Sequence, residues 1–549
     1  MLIVPPTPRD LGLPSPFLSW RPNQAAAIQK MVNSEDRFII QAHPTGAGKS
    51  VTYISAALLA NTSRTMILTS TKALQDQLMR DFDCLGLVDI RGQNAYACRK
   101  YSGLSCAEGP CHWGNTCYLK DGGCDYYDAQ RAARESRLVV TNYAYWMVIS
   151  QFSEEDNLGD FDTLILDESH NAPAALMGYL TIDIELDLFQ SILGVDLPNL
   201  GQDTPKWKHW ATLTKRLLVD KNEELKQSIL RGGADVSLCH RVGRLKRLER
   251  DLSTLIDRVQ QNSWYFYRHP AGLTIGYIEP AKGWAEHALF CQIPRVIMVS
   301  ATVRPRTAEM LGLATGQYSF EDYPSIFPRS QCPVYWLRTL RLNKNTPVDE
   351  VERIWAPQID RIIGSRLDRK GIVHTHSYAR VDILRDHSRY ADIFYINNRY
   401  NTRAVVQEFR KAAPPAVMVS PVLTTGWDFP LDACEFQVIG KLPFPSLGDG
   451  LLAERVRRDK GLMSYLTMQN LVQACGRGMR SAEDHCENFI VDDSIEWWLK
   501  QNRALAPGWF LESYKAIRTI PKPPLAFYKK STKEEEFDEP DARAIGEGG

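Results

Sequence analysis

Phe38-Ile39-Ile40-Gln41-Ala42-His43-Pro44-Thr45-Gly46-Ala47-Gly48-Lys49-Ser50 decides the fold of this chain. Phe38 to Ala42 reads as a buried strand, and Val51 to Leu59, just beyond the stretch, reads as a helix. Between them Thr45-Gly46-Ala47-Gly48-Lys49-Ser50 has the composition of a phosphate-binding loop. Glycines let backbone N–H groups converge on phosphate oxygens, and the helix N-terminus adds partial positive charge. Lys49 then reaches the β- and γ-phosphates of ATP, and Ser50 offers a hydroxyl to Mg²⁺. The usual first glycine of G-x-x-x-x-G-K-S is His43 here.

A second apolar run, Phe161 to Leu166, ends in Asp167-Glu168-Ser169-His170. An acidic residue at the carboxyl end of a parallel strand holds Mg²⁺ through water, and a neighbouring Glu polarises the attacking water. Asp and Ser also cap helices; pairing with the loop favours the metal reading. Far along the chain, Gln473-Ala474-Cys475-Gly476-Arg477-Gly478-Met479-Arg480 carries two arginines three apart, which share one face of a helix. Arginines delivered across a domain cleft stabilise charge on a transferring γ-phosphate.

The length, 549 residues, is too great for one core, so two to four domains are expected. No apolar stretch is long enough to span a membrane, and Met1-Leu2-Ile3-Val4-Pro5-Pro6 lacks the pattern of a signal peptide. An intracellular place, cytoplasmic or nucleoid-associated, is expected. The 65 basic and 65 acidic residues cancel, so any nucleic-acid path is a local groove rather than a basic body. Of the 12 cysteines, Cys98, Cys106, Cys111, Cys117 and Cys124 crowd into one segment. In a reducing compartment such a cluster favours metal over disulfides.

From Arg37 to Ser70 the pattern is strand, loop, helix, strand, an α/β arrangement with a parallel sheet. The cysteine segment interrupts it at 84–128, after which Arg137 to Asn142 and the Asp-Glu strand resume it. A second interruption, 175–263, reads as helical, with Val242, Leu245, Leu248, Leu252, Leu255 and Val259 at spacings of three and four. Arg244, Lys246, Arg247 and Arg250 lie between them, a solvated face or a DNA-facing one. A hairpin is expected around Pro270-Ala271-Gly272, and a buried strand at Val296 to Val299 ending in Ser300-Ala301-Thr302. A second α/β unit follows, with strands at Gly371–His374, Ala416–Val419 and Phe436–Ile439.

In their order, these segments resemble the motifs of superfamily 2 helicases of the iron–sulfur XPD/DinG type. Arg21-Pro22-Asn23-Gln24 is similar to the adenine-side glutamine element; Thr69 to Leu78 resembles the strand-contact motif that follows the loop. Asp167-Glu168-Ser169-His170, Ser300-Ala301-Thr302, His374-Thr375-His376-Ser377 and Thr424-Thr425-Gly426-Trp427-Asp428-Phe429-Pro430 resemble later motifs, with Thr425 where the family has an acidic residue. Gln473 to Arg480 resembles the last one, and the match covers roughly residues 17 to 500.

The resemblance implies two RecA-like parallel-sheet motor domains, the first from 1–83, 129–174 and 264–305 and the second from 306–520. It implies an iron–sulfur domain at 84–128 and a helical arch-like insertion at 175–263; the tail, 521–549, is expected to be disordered. With the motifs beginning near residue 20, no nuclease domain is expected ahead of them. Arg91 to Cys98 resembles the segment bearing the family's first cluster ligand, and Cys124 to Ala129 the last. Cys111 and Cys117 supply the middle pair by resemblance, and Cys106 is set aside. Four thiolates hold either a 4Fe–4S cluster or zinc. Spacings of 12, 5 and 6 residues lack the paired C-x-x-C knuckles of structural zinc, and the resemblance implies the cluster.

The implied activity is an ATP-dependent DNA helicase, a monomer moving 5′ to 3′ on single-stranded DNA and opening forked or overhang duplexes. Lys49, Asp167, Glu168, Arg477 and Arg480 would be catalytic; Gln24, Thr45, Gly46, Ala47, Gly48, Lys49, Ser50 and Gln473 would bind nucleotide. Ser50 and Asp167 would hold Mg²⁺. Two other classes compete: an ATP-gated clamp that binds strands without separating them, and a phosphate-loop enzyme acting on a small molecule or protein. The complete hydrolysis set argues against the first, and stimulation by single strands would exclude the second.

Overall fold

Phe38–Ala42 is buried at all five positions, as the middle of a parallel sheet covered on both faces requires. In the computed structural model, residues 3–524 are described apart from 61–63, 110, 112–116, 152–156, 233–235, 261, 280–282, 399–400, 422–433 and 477–483. The first sheet has seven parallel strands, in the order Tyr318–Asp322, Phe38–Ala42, Arg295–Ser300, Thr163–Asp167, Thr65–Thr69, Leu138–Asn142 and Leu87–Asp89. Because all run the same way, Ala42, Thr69, Asp167 and Ser300 reach one edge. Ligands of open α/β sheets bind at that edge, outside the carboxyl ends.

The second sheet also has seven parallel strands: Phe394–Ile396, Ala416–Ser420, Lys370–His374, Phe436–Ile439, Glu487–Ile490, Val334–Leu337 and Tyr514–Ile517. Helix Leu462–Cys475 packs Met468, Leu471 and Val472 into its core.

Three expectations change. Tyr318–Asp322 pairs with Phe38–Ala42, so the first sheet runs past the expected boundary at 305. The hairpin Trp264–His269 and Gly272–Tyr277 does not join the motor sheet. It pairs with Ile182–Glu185 in a small antiparallel sheet. Gly272 allows that pairing, since an added Cβ would lie 2.0 Å from the Ile184 carbonyl oxygen. The 175–263 insertion is therefore a helix pair, Thr204–Gly232 and Val236–Arg258, resting on strands. The second helix buries Val242, Leu245, Leu248, Leu252 and Leu255 in one stripe, as its spacing predicts. Arg244 on its polar face pairs with Glu185 at 2.8 Å.

Residues 84–128 leave the sheet at Asp89 and return through helix Asp125–Glu135. Between these a short ribbon forms: Cys98 N–H donates to the Leu104 carbonyl (2.8 Å) and Cys106 N–H to that of Tyr96 (2.8 Å). Glu108 meets His240 of the insertion at 2.5 Å. The expected disordered tail lies outside the described residues from 525 onward; before it, the Pro521 and Pro524 carbonyls accept from Arg366 and Arg369.

Candidate nucleotide site and cysteine pocket

The loop wraps the start of helix Lys49–Leu59, whose first turn has no side-chain cap. Its N–H groups face an anion by default. Gly46 and Gly48 take left-handed φ of 74° and 77°, open to glycine at little cost. At Gly48 a Cβ would also lie 2.5 Å from Gln24 Nε2. Gln24 is buried against the loop: its amide donates to the Ala47 (3.0 Å) and Gly48 (3.2 Å) carbonyls and accepts from Arg21 N–H (2.8 Å).

His43 keeps an ordinary backbone, so the missing glycine costs no strain there. The ring is buried, stacks on Tyr323 at 4.7 Å and meets Gln41 Oε1 at 3.0 Å. Burial, with the charge of Lys49, lowers its pKa to about 3, so the imidazole is neutral.

Asp167 ends its strand buried. Tyr53 donates to its Oδ2 (3.3 Å), and Tyr143 donates to its carbonyl (2.9 Å). Burial and the adjacent Glu168 push it up to about 7. Burial alone would raise Glu168 too, but Lys49, His170 and Ser300 outweigh it and hold that carboxylate well below its usual range. Lys49 Nζ lies 3.4 Å from Glu168 Oε1. Glu168 sits at φ 47°, uncommon for a residue with a side chain and of the kind that clusters at functional sites. The Ser50 hydroxyl and Asp167 carboxylate are hard oxygen donors, which fit Mg²⁺.

From Glu168 a chain of contacts leaves the first sheet. Ser300 Oγ donates to Glu168 Oε2 (3.0 Å) and meets His170 Nδ1 (2.6 Å), and His170 Nε2 meets the Gln473 amide. Gln469, one turn earlier on the same helix, donates to the Thr302 carbonyl at 2.7 Å. That helix ends at Gly476, where an added Cβ would lie 3.0 Å from Thr45 Cγ2. Arg477 and Arg480 lie outside the described residues, as does Thr424 to Pro430 with Thr425. Thr71 and Ser377, within segments read as motifs, N-cap the helices Lys72–Phe82 and Tyr378–His387.

Among the described residues, therefore, Gln24 lies against Ala47 and Gly48 of the loop that holds Thr45, Gly46, Lys49 and Ser50, Lys49 meets Glu168 beside Asp167, and Gln473 is linked to Glu168 through His170 and Ser300. Sequence reasoning left Tyr53, Tyr143, His170 and Ser300 out of the site. The last two were quoted within motifs, but only the sheet order, with Arg295–Ser300 beside Thr163–Asp167, brings them to Glu168.

Cys98, Cys106, Cys111, Cys117 and Cys124 line one small pocket with Lys120 and Tyr127. Cys106, set aside from the ligands, is buried in it, its Sγ 3.9 Å from that of Cys124. Gly109 forms a wall: an added Cβ would lie 3.4 Å from Cys111 Sγ and 3.7 Å from Cys98 Sγ. Among the described residues no three potential ligands are closed to the geometry of a bound ion. A pocket walled by five thiols nevertheless suits a thiolate-bound centre.

Two family profiles match the chain: the res subunit of type III restriction enzymes over residues 17–197, and the helicase C-terminal domain over 365–512. No curated protein sequence matches significantly. Among solved structures, an XPD helicase superposes with TM-score 0.61 at 14% identity over 90% of this chain and 98% of its own. The Xpd4 of S. tokodaii gives 0.58 at 14%, over 90% and 100%. These likenesses show the fold, two RecA-like motor domains. Among the described residues no helix is long and apolar enough to cross a membrane. Both profiles are matched in order on that fold, and the chain is similar in architecture to XPD helicases.

Proposed function

We propose that this helicase moves 5′ to 3′ on single-stranded DNA as a monomer, opening forked or overhang duplexes. The observation that carries the coupling is the path from Glu168 through Ser300 and His170 to Gln473. It joins the carboxylate beside Lys49 to a helix of the second motor domain. Lys49 and the loop N–H groups hold the phosphates of ATP, and Gln24 braces the loop. Glu168, kept ionised by Lys49, orients and polarises the attacking water. Arg477 and Arg480 complete the site from the second domain. Ser50 and Asp167 would hold Mg²⁺, which would neutralise charge at the phosphates. When the γ-phosphate leaves, contacts at Glu168 change, and the Gln473 helix shifts with them.

In this reading 84–128 is an iron–sulfur domain, with Cys98, Cys111, Cys117 and Cys124 as ligands, and 175–263 is the arch. The cluster is structural, pinning a short segment. The contact of Glu108 with His240 supports reading the two insertions as one enclosure around the strand.

The test is ATP hydrolysis with no nucleic acid, with single-stranded DNA and with single-stranded RNA. Strong stimulation by DNA is expected. Equal rates in all three would overturn the nucleic-acid motor, and preference for RNA would overturn the substrate.

A further inference from the structure

We infer that Cys106 is a reserve ligand for the position of Cys124. The inference rests on reading the pocket as a cluster site. A 4Fe–4S cluster takes one thiolate on each iron, so four cysteines suffice. This pocket has five. Two sulfurs that ligate one tetrahedral metal ion, with bonds of about 2.3 Å, stand just under about 4 Å apart. The sulfurs of Cys106 and Cys124 are in thiol–thiol hydrogen-bond contact at 3.9 Å, close enough for both to address one metal position. In a cluster that position needs only one of them.

Both backbones are fixed, so the exchange needs only side-chain rotation. Cys106 N–H is bonded to Tyr96 of the ribbon (2.8 Å), and its thiol donates to the Ala97 carbonyl (3.5 Å). Cys124 N–H donates to Leu119 (3.0 Å), while its carbonyl accepts from Asp128 in the first turn of helix Asp125–Glu135 (2.8 Å). The two differ in exposure: Cys106 is 5% exposed, whereas Cys124 is half-buried. A solvent-facing thiol is the one more open to chemical loss. The step would exchange one iron–sulfur bond for another: the Cys106 bond forms, and its thiol proton goes to the departing Cys124 thiolate, or to solvent where that ligand has already been lost. No electron moves.

The test uses the full chain, purified without oxygen, in wild-type, Cys106→Ser, Cys124→Ser, Cys98→Ser and Cys106→Ser/Cys124→Ser forms. Iron, zinc and acid-labile sulfide per chain are measured with the visible absorption of the cluster, and ATPase reports whether the motor is intact. Each single change at 106 or 124 should retain most of the iron. The double variant should lose it about tenfold or more, as Cys98→Ser does. If Cys124→Ser is as bare as the double variant, Cys106 is only structural and the inference falls while the cluster stands. If Cys106→Ser alone strips the iron, Cys106 is an ordinary ligand and the reserve role falls. Stoichiometric zinc in the wild type would overturn the cluster reading itself, with both sulfurs then ligands of one ion; absence of any metal would overturn both.

Discussion

At the nucleotide site, the residues of the first sheet stand at the carboxyl end of a parallel strand or in the first turn after it. In the cysteine pocket two thiols stand on a short ribbon, one precedes a helix, and two flank residues 112–116. The first arrangement is held by a seven-stranded sheet whose five inner strands are buried almost throughout. The second adds few apolar residues to the core, Ile90, Leu104 and Tyr126 among them. A sheet fixes side chains whether or not a ligand is bound. A small loop-built pocket depends on the group it holds. Damage at the first site should therefore alter chemistry in an intact scaffold, and damage at the second should alter shape and leave chemistry.

The largest effect is expected from Lys49→Ala. Hydrolysis and strand separation should both fall by several orders of magnitude, while single-strand binding persists, because the lysine stands in the phosphate loop beside Glu168 and not on the strand path. Near-normal ATPase would remove the loop from the site. Arg477→Ala should lower turnover about 10³-fold, far more than it weakens nucleotide affinity, if its charge acts in the transition state. Equal losses in kcat and affinity would show that it only holds ground-state ATP.

Cys111→Ser breaks the comparison at its other end. Bound iron and strand separation should disappear while ATPase stimulated by single strands survives. Full unwinding in an iron-free variant would refute the structural role of the cluster.

Gln473→Ala sharpens the link between the motor halves. Basal hydrolysis should fall less than the DNA-stimulated rate, so that stimulation by DNA drops by about 5–150-fold, the span of ordinary coupling energies. An unchanged stimulation ratio would take the His170 contact out of the coupling path.

The smallest effect concerns His43. Its folded pKa of about 3 lies below the ordinary 6.5. Between those values the unfolded chain binds a proton that the folded chain refuses, so His43 lowers stability progressively as pH falls from 6.5 towards 3. His43→Gln should flatten that part of the curve of thermal midpoint against pH. A parallel curve would mean that the ring is protonated in the fold.

Much of the motor was legible in the chain because its signals are local. A buried run followed by Gly-Lys-Ser specifies strand, loop and helix together, and Leu164-Ile165-Leu166-Asp167-Glu168 specifies a strand and what stands at its end. Strand order is not local. Tyr318–Asp322 joins the first sheet through a pairing 280 residues away in register, Phe38 with Tyr318, which no run of sequence announces. The same blindness hid Ser300 and His170, since their meeting requires two strands to be neighbours. The hairpin at 264–277 was readable from its turn, but its partner, Ile182–Glu185, was not. In the pocket the sequence leaves out side-chain proximity. Resemblance ranked the cysteines by spacing, and spacing does not report that Cys106 and Cys124 converge.

Strand displacement bears most directly on the central claim, that ATP hydrolysis at the loop drives strand separation. Duplexes with a 5′ tail, a 3′ tail and blunt ends would be offered to the wild-type chain and to Lys49→Ala, with and without ATP–Mg²⁺. The account predicts displacement of the 5′-tailed duplex by the wild type with ATP and by no other combination. Robust ATPase with no displacement of any substrate would contradict it and leave an ATP-gated clamp.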